Sequence, residues 1–347
     1  MHNRKKLERP PTEAEISALQ KKTQTYASLV SIIFQRRKDQ DLSKDTLDLV
    51  GKMLRNNPDF YSLWNFRREI LLSMNPTLSE CSTENKYTAD NAAAIRDEEM
   101  NLSADGIRKN PKSYGAWHHR QWIIGRFDVS FDHELTLCKE FLRQDQRNFH
   151  CWNYRRFVVA TGAVPDENEL AYSAEKIQEN FSNYSAFHHR SIYIKRTAQS
   201  VAEVLPIEFD IIENAVFTEP DDQSAWWYHQ FLLTWADSDL AATAARDVAE
   251  AEHKSNWLVG VLQEQLEKVH GLYELEENCT WVMNCLISLI DRLCSPLLAA
   301  AAAGMKLDRT ALLTERKALL EKLVVVDPNH KNRYVYMLLN TSTSSSN

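Results

Sequence analysis

One short pattern recurs along this 347-residue chain: an aromatic residue, Asn or His, a second bulky residue, then Arg. The copies are Trp64-Asn65-Phe66-Arg67, Trp117-His118-His119-Arg120, Trp152-Asn153-Tyr154-Arg155 and Phe187-His188-His189-Arg190, with a drifted fifth at Trp226-Trp227-Tyr228-His229. Six residues ahead of each aromatic lies a turn-like site, at Pro58, Pro111, Gln146, Phe181 and Pro220, and Asp327-Pro328 leads by the same offset to Tyr334, a worn sixth copy. The aromatics are 53, 35, 35 and 39 residues apart. A period of about 35 residues is one helical hairpin of a solenoid, a unit that buries its apolar face only by stacking on its neighbours.

The local pattern agrees. Ahead of each turn, apolar residues fall three or four apart, as in Leu47, Val50 and Leu54, and after it Phe60, Leu63, Trp64, Ile70 and Leu71 repeat that spacing. Each unit therefore reads helix, turn, helix, with proline closing the first helix and Ser113, Asn148, Asn183 or Asp222 placed to cap the second. Only 8 glycines and no alternating β-branched runs leave little material for a sheet. The fold class is all-α. A first helix is expected over 16–38 after a polar, basic segment 1–15; a loop over 75–90 lengthens the first interval; the repeat solenoid runs over 16–340; and 341–347 reads as a Ser-rich disordered tail.

Several functions are disfavoured by what the residues are. A net charge of −7 argues against nucleic acid as a main partner. No apolar run reaches the roughly 18 residues of a membrane span. Six cysteines without a Cys-x-x-Cys pair read as reduced thiols of a cytoplasmic protein. The adjacent pairs His118-His119 and His188-His189 face different sides of a helix, which makes chelation of one ion within this chain improbable. Glycine-rich phosphate loops and nucleophile elbows are absent from the sequence.

Trp-His-His-Arg and Trp-Asn-Tyr-Arg, preceded by Asn-Pro-Lys-Ser-Tyr or Asp-Gln-Arg-Asn-Phe and repeated at this period, resemble the repeats of the protein prenyltransferase α subunits. Within that family, 57–71, 145–159 and 221–233 look most like the type II branch, which serves Rab GTPases. The resemblance implies a right-handed α/α superhelix, a crescent solenoid wrapped around a separate prenyltransferase β subunit. It implies that the β subunit carries the zinc, with no cofactor bound by this chain alone. It also implies transfer of geranylgeranyl from geranylgeranyl diphosphate to C-terminal cysteines of Rab GTPases presented by Rab escort protein. The alternatives are the α subunit shared by farnesyltransferase and the type I enzyme, or a non-catalytic helical-repeat adaptor.

By the same resemblance, Lys112 and Tyr114 match a lysine and a tyrosine that face the diphosphate, and an ammonium and a phenol at a helix start suit a developing pyrophosphate. The competing reading makes Lys112 a solvated turn residue and Tyr114 a packing aromatic, since Tyr61, Phe149 and Tyr184 share its offset. Arg147, at the Lys112 offset of the next unit, is a weaker candidate. His118 and His188 are expected to face the partner, and His2 is a speculative contact to the partner's zinc. Arg67, Arg120, Arg155 and Arg190, spread one per hairpin, read as structural pairs to acids or carbonyls of a neighbouring hairpin, and Trp64, Trp117, Trp152, Phe187 and Trp226 as core.

Overall fold

A computed structural model describes residues 9–341; His2 and the tail from 342 onward lie outside the described residues. Every regular element described is helical. The chain divides into two compact units, one up to Val164 and one from Pro165. The first unit holds α1 (Glu13–Lys38), α2 (Lys44–Asn56), α3 (Tyr61–Met74), α4 (Ala92–Lys109), α5 (Tyr114–Ile124), α6 (Phe131–Gln144) and α7 (Phe149–Thr161). The second holds α8 (Asp166–Glu179), α9 (Tyr184–Thr197), α10 (Val201–Thr218), α11 (Gln223–Ala244), α12 (Val248–Leu275), α13 (Thr280–Leu293), α14 (Ala299–Gly304), α15 (Arg309–Val326) and α16 (Lys331–Thr341). Within each unit the helices pair as antiparallel hairpins stacked side by side, the α/α solenoid that the repeat requires.

The first helix starts three residues earlier than the periodicity suggested, because Thr12 and Glu15 close a reciprocal capping box. The segment 75–90 is not simply loop: Pro76–Glu80 forms a 3-10 turn and Tyr87 is buried. The capping residues work as read, since Ser113, Asn148, Asn183 and Asp222 each accept a backbone N–H from the first turn of their helix. None of the six cysteines forms a disulfide.

The anchor aromatics are buried. The indole N–H groups of Trp64, Trp117, Trp152 and Trp226 each donate, at 2.8 Å, to the carbonyl six residues earlier. Two of these carbonyls also accept from the cap of the next hairpin: Ser113 Oγ reaches Pro58 O and Asn148 Nδ2 reaches Pro111 O, at 2.8 and 3.0 Å. Hairpins meet so tightly here that a Cβ on Gly115 would stand 2.4 Å from Trp64 Cδ1. The worn sixth copy forms the hairpin of α15 and α16 with Tyr334 buried, but its phenol donates to Asp327 Oδ2 instead.

The recurrent arginines build a ladder. Arg67 makes a two-pronged bond to Glu99 of α4, at 2.7 and 2.6 Å, and Arg120 does the same to Glu134 of α6, at 2.7 Å for both prongs. In the second unit Arg190 grips Glu208 of α10 at 2.7 and 2.6 Å. Each of these three glutamates also meets a residue of its own hairpin, His119 Nε2 on Glu99, Tyr154 OH on Glu134 and Tyr228 OH on Glu208, and Glu169 of α8 meets His189 Nε2 in the same way. Burial opposes ionisation of Glu99, yet His119 and Arg67 hold its carboxyl down at about 2. Arg155 is buried at the equivalent position. Where the arginine drifts to His229, the partner is the neutral Gln265, so both sides of the joint lose their charge together.

Two outcomes follow. Glu134→Ala leaves a buried guanidinium without its carboxylate and is expected to cost about 3–5 kcal/mol in urea unfolding. Burial lowers the His229 imidazole to about 4. The unfolded chain binds that proton from about pH 6.5 downward and the folded chain does not until near pH 4, so stability is full above 6.5 and about 3 kcal/mol is lost by pH 4. Unfolding of His229→Gln followed between pH 7 and 4 should show a correspondingly shallower decline than the wild type.

Candidate functional site

The residue after each anchor aromatic, and the one three before it, point away from the core. His118, Tyr114, Tyr61 and Phe149 are all exposed in the first unit, Tyr114 at 66%. In the second unit Tyr184, His188 and Trp227 are exposed likewise. This corrects the reading of the Tyr61, Tyr114, Phe149 and Tyr184 offset as a core position. The paired histidines split as helical geometry demands, with His118 and His188 outside and His119 and His189 buried.

Lys112 and Tyr114 sit on a braced turn. Asn110 Oδ1 accepts the Lys112 amide at 3.1 Å, Asn110 Nδ2 donates to Asp59 at 2.7 Å, and Ser113 holds both its own helix start and Pro58 O. The backbone is therefore fixed while the two side chains project outward. Lys112 Nζ lies 3.7 Å from Asp145 Oδ2, a half-exposed pair that contributes little to stability. The Tyr114 ring meets the edge of His150 at 4.2 Å and of Phe149 at 6.0 Å. Burial, and after it the charge of Lys112, lowers the His150 pKa. Lys112, Tyr114, His150 and Asp145 thus share one patch at the amino ends of α5 and α7.

His118, one turn along α5 from Tyr114, stacks on Tyr61 with ring centroids 6.5 Å apart; burial and Arg68 lower its pKa. Arg147 is exposed on the turn before α7, its amide bonded to Asp145. His188 lies in the second unit, in a groove of about 420 Å³ also lined by Tyr184, Ser191, Gln223, Trp227 and Phe231. Trp227, which packs edge-on against Trp281, and Phe231, with Lys195 above its ring, were not singled out from the sequence. Trp227 holds the His118 and His188 offset of the drifted copy, which is the signal that marks it. Among the described residues no group of three His, Cys, Asp or Glu side chains is placed to hold a metal ion, and no single helix is long and apolar enough to cross a membrane.

Braced, outward-facing cations and aromatics on a repeat scaffold define a helical-solenoid subunit, and sequence comparison fixes its family. The sequence profile of the protein prenyltransferase alpha subunit repeat matches residues 43–74, 96–127, 131–162, 166–197 and 205–236, each one of the hairpins from α2–α3 to α10–α11. The geranylgeranyl transferase type-2 subunit alpha of Dictyostelium discoideum is 33% identical over 342 residues, covering 96% of this chain and 98% of that one. This chain belongs to the protein prenyltransferase α-subunit family. Its Homo sapiens relative of the same description is 40% identical over 249 residues, 68% of this chain but 42% of its own length. The Arabidopsis thaliana type-2 subunit alpha 1 is 48% identical over 239 residues, 67% of this chain and 34% of the relative. The chain thus spans about 42% and 34% of the length of these human and plant relatives. A solved structure of Candida albicans protein geranylgeranyltransferase-I complexed with GGPP superposes with a TM-score of 0.62 at 18% identity, over 91% of this chain and 90% of that one, which supports the fold.

Because the Lys112 and Tyr114 side chains carry none of the core, Lys112→Ala and Tyr114→Ala are expected to shift unfolding free energy by no more than about 0.5 kcal/mol. Trp226→Phe, which deprives Pro220 O of its indole donor, should cost about 1 kcal/mol or more in the same urea titration.

Proposed function

We propose that this chain is the α subunit of a heterodimeric type II protein geranylgeranyltransferase. The observation that carries this reading is the match along nearly the whole chain to the Dictyostelium type-2 subunit alpha. The substrates are geranylgeranyl diphosphate and the C-terminal cysteines of Rab GTPases presented by escort protein, and the reaction proceeds only with a β subunit, in the cytoplasm.

In this reading a zinc held by the β subunit supplies the thiolate by lowering the thiol pKa. The sulfur–C1 bond forms as the C1–O bond breaks and diphosphate departs. This chain's contribution is electrostatic. Lys112, fixed by the braced turn, places an ammonium against the departing oxygens, and Tyr114 offers a phenol O–H from the same helix start. Stabilisation of this kind acts on charge that develops in the transition state, so it raises kcat more than it tightens binding. His118, His188, Arg147 and the exposed aromatics meet the β subunit. His2 belongs to the same proposal as a contact to the partner's zinc.

The test is co-expression with candidate β subunits, followed by transfer of labelled geranylgeranyl to a Rab with escort protein. Transfer that needs this chain and falls at least tenfold in Lys112→Ala, a loss of ~1.4 kcal/mol of transition-state stabilisation, is the expected result. A chain that recruits no β subunit and supports no transfer is a helical adaptor instead.

A further inference from the structure

The turns that lead into α3, α5, α7 and α9 share a construction. The first residue of each accepts the amide of the third on its side-chain oxygen: Asn57 from Asp59 at 3.2 Å, Asn110 from Lys112 at 3.1 Å, Asp145 from Arg147 at 3.1 Å and Asn180 from Ser182 at 2.9 Å. Turns are also stitched from one hairpin to the next, the third residue of one meeting the first residue of the following. Asp59 Oδ2 accepts from Asn110 Nδ2 at 2.7 Å, and in the second unit Ser182 Oγ donates to Glu219 Oε2 at 2.6 Å.

One stitch differs. Between the turns of α5 and α7 it is made by Lys112 and Asp145, whose Nζ and Oδ2 stand 3.7 Å apart, outside hydrogen-bond reach. Both side chains are about half exposed, and an ion pair of that kind is weak. Asp145 is otherwise committed: Oδ1 holds the Arg147 amide, and its carbonyl accepts the Asn148 amide at 3.1 Å, so the turn keeps its shape when Lys112 swings away. The pair lies inside the patch described above, since the charge of Lys112 also lowers the pKa of His150, whose ring centroid is 4.2 Å from that of Tyr114.

We propose that Asp145 is a positioning residue, the counter-ion that Lys112 gives up when a diphosphate enters and takes back when pyrophosphate leaves. The role rests on the catalytic reading of Lys112 given above. A stitch as tight as the neighbouring ones would withhold the ammonium from the departing oxygens. With no counter-ion at all, a point charge on a long flexible stem would wander in the free subunit and cling to a polyanion once it was bound. A loose carboxylate avoids both: it keeps the ammonium near the starts of α5 and α7, and it competes with the product for it.

Inhibition of transfer by inorganic pyrophosphate, measured on the purified heterodimer against geranylgeranyl diphosphate, tests this. Asp145→Asn, which keeps an oxygen for the Arg147 amide, is expected to lower the pyrophosphate inhibition constant about threefold, the scale of an exposed ion pair. In a Lys112→Ala background the same change is expected to do nothing, because the cation being competed for is gone. A carboxylate that only shaped the turn would weaken product binding on removal or leave it unmoved. Should Asp145→Asn fail to assemble with the β subunit, Asp145→Ser replaces it with the same expectation. An inhibition constant that rises or stays put, or that falls equally without Lys112, overturns the role while the enzyme remains active. A wild-type heterodimer that transfers nothing overturns the catalytic reading and this role with it, which is a different result from an active enzyme indifferent to Asp145.

Discussion

The joint between successive hairpins rests on a glutamate buried between two donors. Glu99, Glu134 and Glu208 are each gripped from one side by an arginine of the preceding hairpin and touched from the other by a His or Tyr of their own. A carboxylate and a guanidinium out of water are each expensive, and the pair is tolerable only because its geometry is two-pronged and the remaining donor finds a backbone carbonyl, Leu47 O for Arg67 and Met100 O for Arg120. Such a joint has one satisfactory arrangement. It converts a stack that apolar contact alone would leave free to slide into one with a fixed register, and everything displayed on the outer row inherits that register.

The second device is the shared carbonyl six residues before an anchor, at Pro58 for Trp64 and Pro111 for Trp117. It ties a helix start to the preceding turn and to the cap of the next hairpin in one place. Lys112 and Tyr114 follow directly after such a point. Chemistry that acts by stabilising developing charge depends on donors already in position, and a turn held by Asn110, Ser113 and Pro58 provides that without using either functional side chain as a strut.

Much of this was legible in the sequence. The aromatic and arginine positions, the caps and the hairpin period all follow from spacing, because burial in a stacked repeat recurs at the same offsets. The glutamates were legible too, though spacing of the aromatics alone did not single them out: Glu99, Glu134, Glu169 and Glu208 each stand eighteen residues before an anchor. A carboxylate repeating at one offset inside otherwise largely apolar, buried helix faces is the mark they carry. The exposed row was harder. Helical periodicity places Tyr61, Tyr114, Phe149 and Tyr184 at one offset but says nothing of whether that offset looks inward, and aromatic character argued for the core. The contact of Lys86 Nζ with Ile124 O at the end of α5 was beyond reach, since it depends on how an irregular insertion lies across the end of a distant helix.

That every joint described carries its two halves at constant offsets has a bearing on how such arrays change length. A tandem duplication or loss of one 35-residue unit brings a new arginine opposite a new glutamate wherever the breakpoint falls, so the altered gene encodes a working seam at once. The exceptions are the 53-residue first interval, where the insertion laid against α5 breaks the periodicity, and the 39-residue fourth; there the array can be decorated but not lengthened by the same slip.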